Sequence, residues 1–424
     1  MQGSALETSS EKATNINANV HFGQMQFIEA SGELLKDHPD YSRGFCNGLT
    51  FLWIYFKSVG QEANFFKLYA SILTREPGAE FTPMMKRFIE TVKQYQKPEA
   101  YGSPFEQTDF ANNINGIIPS YSPTVEPEYQ ICFNFTEHEL GFVLKRLPVD
   151  EKMLLFYSPN HVIGAMKIGG VYHIYDANVG TELTCDSEVI LAKFICFAML
   201  RNAPHAGKCL PLDIKIYKHS TQSTPSYFTP AELIEHILKY RGDIKRDDAW
   251  PGFTSLHYAI VKGDLQSVSA LLPSPSIDTE YKGFLPIEVA SILDRNTMLR
   301  PLFQAGGDIN LALMDAAKSG NESSLAECIM LGAKPDYKDK EGLTALDYAV
   351  ILNNRSVLRI LLNVGAWSAH AIDLAIANAY RDITNDLVEA LQNRCSAVTS
   401  FYLPVQQQAT APQLAPGASP QFMG

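Results

Sequence analysis

The stretch HVIGAMKIGGVYHIYDANVG, His161 to Gly180, sets two alternating apolar runs on either side of a Gly-Gly pair. That pattern predicts a β-hairpin with a two-residue turn, because glycine accepts the left-handed backbone such a turn requires. With Gly169 and Gly170 as the turn, Ile163 faces Asp176 and His161 faces Asn178. Side chains alternate along a strand, so His161, Ile163, Asp176 and Asn178 project from one face, and His173 falls on the other. His161 and Asp176 become diagonal neighbours, close enough for a carboxylate to orient an imidazole. A one-residue slip of the turn would undo this arrangement.

Around the hairpin, Met153–Tyr157 and Leu212–Tyr217 read as further strands and residues 187–201 as a helix. Upstream, residues 23–38 have helical spacing, and YSRGFCNGLTFLWIYF, residues 41–56, places Cys46 directly before an apolar run. A helix is expected from Cys46 to about Lys57. Residues 97–130 are rich in Pro, Asn and Ser and read as a long loop. Free cysteine is among the most buried residue types, so Cys46 alone has a packing explanation. The His161–Asp176 pair adds a chemical one. A thiolate is favoured at a helix N-terminus beside an imidazolium; histidine then serves as base and acid, and a carboxylate fixes its tautomer.

The order Cys46, His161, Asp176, carried by the motifs GFCNGL, NHVIGAMK and YHIYDANVG, resembles the papain-like cysteine peptidases. The resemblance implies an α+β papain-like domain over residues 21–218. It implies Cys46 as nucleophile, His161 as base and Asp176 as orienting group, with Asn178 as a second candidate third member. It implies no cofactor and no metal. Papain-like enzymes carry an oxyanion-stabilising Gln shortly before the nucleophile, and none stands there. Gln24, Gln26 or the Cys46 backbone N–H are the substitutes on offer. Glu137, His138 and Glu139 are adjacent in sequence and do not converge on a metal.

From about Trp250 the chain repeats itself. GFTSLHYAIVKGDLQSVSALL (252–272) and GLTALDYAVILNNRSVLRILL (342–362) align without gaps; 283–303 follows the same template and 310–333 keeps its second part. Ala259, Ala290, Ala316 and Ala349 recur at spacings of 31, 26 and 33 residues. These segments resemble ankyrin repeats, which implies an all-α solenoid of about four repeats plus a cap over 250–395, after a linker and helix at 219–249. The 26-residue step implies a repeat without its hairpin finger. Ankyrin repeats bind proteins through hairpin tips and first-helix faces, here including Trp250, Phe253, Tyr281, Phe284 and Tyr337. His257 occupies a position that is structural in such repeats. Leu302 followed by Asp308, Ile309 and Asn310 resembles the pattern read by an asparaginyl hydroxylase, which requires Asn310 in an extended segment between repeats.

The polar stretches 1–20 and 396–424 read as disordered. A formal charge of −11 without a Lys/Arg block argues against direct nucleic-acid binding. No apolar run reaches the length of a membrane span. Seven scattered Cys without a C-x-x-C pair suggest neither a disulfide framework nor zinc, and point to a reducing compartment. The combination of papain-like domain, ankyrin repeats and polar tail is similar to type IV secreted effectors of Legionella. That resemblance implies export into a host cell, to cytoplasm or nucleus, and a host protein held by the repeats. The chain then either modifies that protein with its thiol or serves as a non-enzymatic scaffold with a vestigial site.

Overall fold

The computed structural model describes residues 23–36, 44–96, 125–147, 149–159, 161–201, 209–219, 222, 228–241, 251–272 and 275–402. The expected disordered stretch 1–20, the tail from residue 403 and Trp250 lie outside the described residues. The chain divides into two compact units, Met1–Asp308 and Ile309–Gly424. The division falls inside the array of helix pairs and not in the 219–249 stretch.

The first unit begins with α1 (Gln24–Ala30), α2 (Gly32–Leu35), α3 (Cys46–Ser58), α4 (Glu62–Leu73) and α5 (Pro83–Gln96). Residues Gly48 to Lys57 of α3 are all buried, as a helix apolar on every side must be. Then follow β1 (Val125–Phe135), α6 (Glu137–Leu144), β2 (Met153–Tyr157), β3 (Val162–Ile168), β4 (Val171–Asp176), β5 (Glu182–Cys185), α7 (Glu188–Arg201) and β6 (Leu210–His219). The six strands form one sheet in the order β1-β6-β2-β3-β4-β5, and every neighbouring pair is antiparallel.

The β3–β4 hairpin has the register that the Gly-Gly turn dictates: Ile163 pairs with Asp176 and Ile168 with Val171. Gly169 and Gly170 have φ of 57° and 82°, the left-handed values expected of that turn. α3 lies against this hairpin. A Cβ on Gly164 would stand 2.9 Å from Thr50 Cγ2, so only glycine lets the helix approach this closely. Beside that gap the Trp53 and Tyr175 rings stack with centroids 5.3 Å apart. Both side chains are fully buried, and each contributes about 1.5–3 kcal/mol from area alone. At its far end α3 is tied down by Lys57, whose ammonium reaches Glu62 (3.1 Å) and Glu182 (3.0 Å). Burial alone would raise the Glu182 pKa. Hydrogen bonds from His173 and Lys57 outweigh it and hold the carboxyl below its usual range.

Two sequence expectations need correction. Residues 125–130 are not loop, because β1 starts at Val125. The polar composition of VEPEYQ hid a strand whose register shifts between Pro127 and Tyr129, as edge strands tolerate. Residues 396–402, expected in the tail, continue the last helix, which runs to Tyr402.

After β6 come α8 (Pro230–Arg241), then the pairs α9 (Ser255–Lys262) with α10 (Leu265–Leu271) and α11 (Pro286–Ile292) with α12 (Asn296–Gln304). The α9/α10 pair covers the outer edge of β1. Cys132 N–H donates to Asp264 Oδ2 and Ser267 Oγ, both at 3.1 Å, and Asn134 N–H donates to Ser255 Oγ at 3.0 Å. Strand amides left over at the sheet edge thus find acceptors on the helix pair. Asp264 also caps α10 through Ser267 N–H.

The second unit holds α13 (Ile309–Ser319) with α14 (Glu322–Met330), α15 (Ala345–Ile351) with α16 (Arg355–Asn363), and α17 (Ala369–Ala377) with α18 (Arg381–Tyr402). Arg355 and Arg359 both grip Asp386 of α18, fastening the last pair to the one before. Among the described residues no helix is long and apolar enough to cross a membrane, and no group of three or more His, Cys, Asp or Glu could hold a metal ion.

Replacing Asp264 with Ala removes a helix cap and a buried acceptor together. We expect a local loss of about 2–3 kcal/mol, read as roughly 30-fold or more faster hydrogen exchange at the Cys132 amide. Unchanged exchange there would mean that the helix pair does not hold the sheet edge.

Candidate thiol site

Cys46 is the first residue of α3 and is half-buried. His161 stands just before β3 and Asp176 ends β4; both are buried, at 4% and 3% exposure. The hairpin register brings them together: His161 Nε2–H donates to Asp176 Oδ1 at 2.7 Å. The same carboxylate oxygen accepts the Asn178 N–H at 2.8 Å. The Cys46 thiol lies close enough to the imidazole to favour its protonated form. Burial pulls the His161 pKa down. The hydrogen bonds to Asp176 and Cys46, with their charges, outweigh burial and raise it to about 9. At neutral pH the ring is an imidazolium between a carboxylate and a sulfur, at the start of a helix.

Gln24 completes the cluster. It lies on α1, far from Cys46 in sequence, and its Oε1 accepts the Phe45 N–H at 2.9 Å while Nε2 donates to Asn178 Oδ1. The α1 start is itself fastened to the hairpin end, since Gln24 N–H donates to Ala177 O at 2.8 Å. Gly44 gives it room, because a Cβ there would stand 2.6 Å from Gln24 Oε1. An amide nitrogen carries two hydrogens, so Nε2 has a second N–H beyond the one given to Asn178. Of the substitutes for the missing upstream Gln, Gln24 is therefore at the site. Gln26 is exposed. Asn178 Nδ2 lies 3.3 Å from His161 Nε2, so this side chain links Gln24 to the His–Asp pair.

Burial pushes the Cys196 and Cys328 thiols up to about 12 and raises those of Cys132 and Cys185.

The remaining sequence candidates separate. Phe253 is a correction: it is buried at 7% exposure, its ring 4.7 Å from Tyr281 and also against His257 and Tyr258, so it is core and not a docking anchor. Tyr281 is half-buried beneath a hairpin tip in which Tyr281 and Phe284 exchange backbone hydrogen bonds. Phe284 is 40% exposed and Tyr337 half-buried. Asn310 is a second correction. The chain has no finger before α13, so Asn310 falls in the first turn of that helix and not in an extended segment. Its Oδ1 accepts the Lys334 N–H at 2.8 Å, which fixes the approach to the next finger. His257 forms a capping box with Thr254 at the start of α9. Glu139 does the same with Thr136 at the start of α6.

Residues 313–362 match the family model for ankyrin repeats in many copies. The chain carries ankyrin repeats. Ankyrin repeat protein FPV223 of fowlpox virus is 27% identical over 137 residues, 31% of this chain and 97% of that protein. Among solved structures, the ankyrin repeat domain of Bcl-3, a member of the IkappaB protein family, is similar at 19% identity. That match covers 38% of this chain and 79% of that one, with a TM-score of 0.34. Ankyrin repeats imply protein partners.

The raised His161 pKa has a signed consequence. A group whose pKa goes from about 6.5 unfolded to about 9 folded stabilises the fold fully below pH 6.5. That contribution is lost as pH rises through 9. Stability should therefore decline between pH 6.5 and 9, and His161→Asn should flatten the decline. An imidazole NMR titration with a midpoint near 6.5 in the folded protein would contradict the arrangement described.

Proposed function

We propose that this protein is a thiol enzyme that modifies a protein held by its ankyrin repeats. The observation that carries the reading is the contact of Cys46 with a His161 ring fixed by Asp176, with the Gln24 amide alongside. In the proposed reaction Cys46 Sγ attacks the carbonyl carbon of an amide, and the C–N bond breaks as His161 hands its proton to the departing nitrogen. Gln24 Nε2–H stabilises the oxyanion. Water then cleaves the thioester and returns the thiol, giving hydrolysis of a peptide or deamidation of a side chain. If an amine or hydroxyl of a second substrate takes the place of water, the outcome is acyl transfer. The resemblance to translocated type IV effectors supports the reading that the partner protein is one of a host cell.

Three tests follow. Iodoacetamide near neutral pH should label Cys46 ahead of the other thiols, and His161→Ala should slow that labelling; equal labelling of all cysteines would make Cys46 a packing residue. Gln24→Ala should lower turnover of a captured substrate by about 100-fold while Cys46 labelling persists, the usual effect of losing one oxyanion donor. Proteins captured from host lysate by wild type and by Cys46→Ala should differ in mass, by cleavage or by a group gained or lost. Identical, unmodified partners would support the scaffold reading instead.

Binding itself should depend on Phe284 and Tyr337. Replacing both with Ala should weaken capture about tenfold or more with Tm nearly unchanged, as expected of aromatic binding anchors. A large fall in Tm would place them in the core.

A further inference from the structure

The nucleophile helix has no cap of its own. Its N-cap position is Phe45, which has no side-chain acceptor, and the first turn carries no acidic residue. Gly48 N–H nevertheless donates to Gln96 Oε1 at 3.2 Å, across from the last residue of α5. That is the third helical N–H, one of those a local capping side chain would take. The contact is reciprocal. Asn47 Nδ2 donates to the carbonyls of Tyr95 (2.9 Å) and Gln96 (3.4 Å), which belong to the unsatisfied end of α5. The two helices are close enough here that a Cβ on Gly48 would stand 2.1 Å from Val92 O.

We propose that Gln96 is a positioning residue for the thiol: it caps α3 from a neighbouring helix and does so without charge, leaving the field of the helix N-terminus to the Cys46 sulfur. A carboxylate would be the stronger acceptor at a helix start. It would also sit within a helical turn of the nucleophile and oppose its ionisation. A neutral amide satisfies the N–H and leaves the thiolate favoured. The proposal rests on the thiol reading above.

The test compares the pH dependence of Cys46 alkylation by iodoacetamide in the full chain. Gln96→Glu keeps an acceptor of the same length, so Tm should hold or rise. The alkylation midpoint should move up by about one pH unit, making the reaction about tenfold slower at pH 7. Gln96→Leu removes the acceptor and lets the first turn of α3 shift. In that background the rate penalty of His161→Ala should shrink severalfold, because the sulfur no longer meets the ring. An unmoved midpoint in Gln96→Glu, or an undiminished His161→Ala penalty in Gln96→Leu, would reduce Gln96 to a structural cap. If His161→Ala has no effect even in the wild-type background, the thiol reading itself fails, which is a separate result.

Discussion

The contact between α3 and the β3–β4 hairpin is the constraint on which the rest of the N-terminal unit depends. Gly164 opens a gap that Thr50 and Trp53 fill, and the Trp53–Tyr175 stack fixes the helix beside it. Lys57 locks the far end onto Glu182 of the sheet. With its body and one end held, the helix has little freedom left at its other end. There Cys46 meets a histidine whose own position is set by the strand register. The geometry at one end of α3 is thus held by packing and charge at the middle and the other end.

How much of this could be read from sequence follows from which constraints are local. The hairpin was legible because Gly169-Gly170 determines both turn and register, and the register alone carries His161 to Asp176. Cys46 at a helix start was legible from the apolar run behind it. Gln24 was one of three substitutes offered, with Gln26 and the Cys46 backbone N–H, since nothing local says which face of α1 meets Phe45 N–H; that Gln24 is buried against Phe45 and Gln26 exposed is visible only in three dimensions. Gln96 gave no signal at all, because a cap supplied across a helix pair leaves no spacing pattern. Phe253 was misread for a related reason. Finger aromatics look alike in sequence, yet Phe284 points outward at a tip while Phe253 closes against Tyr281 and Tyr258. For Asn310, the missing finger was visible as a short repeat, but its consequence, a helix starting at Ile309, needed the structure.

The helix pairs do more than append a binding array. Within the first unit, α9 and α10 complete the sheet edge, with Ser255, Asp264 and Ser267 accepting the outward amides of β1. An edge strand with unpaired amides invites pairing with other chains. Here the capping residues of an ankyrin-like pair serve as its acceptors. Asn134 reinforces the joint, donating from its side chain to Phe253 O, and the Tyr258 hydroxyl donates to Tyr157 O. A repeat joined this way is part of the unit that holds the thiol site, so cutting the chain at 219–249 would strip acceptors from β1.

The polar groups around Cys46 share one chemical trait. Gln24, Asn47, Gln96 and Asn178 are all neutral amides, and each satisfies a backbone or side-chain partner near the nucleophile. The carboxylate in the cluster, Asp176, is spent on the far side of the imidazole. A second carboxylate near the sulfur would compete for the imidazolium and disfavour the thiolate, whereas amides hold geometry without adding charge. At the two accepting positions, Gln24 Oε1 and Gln96 Oε1, a carboxylate would serve as an acceptor too; at Asn47, which donates to carbonyls, it would not. On the proposed reading, the neutral acceptors of Gln24 and Gln96 hold the start of α3 without placing a second negative charge beside the thiol.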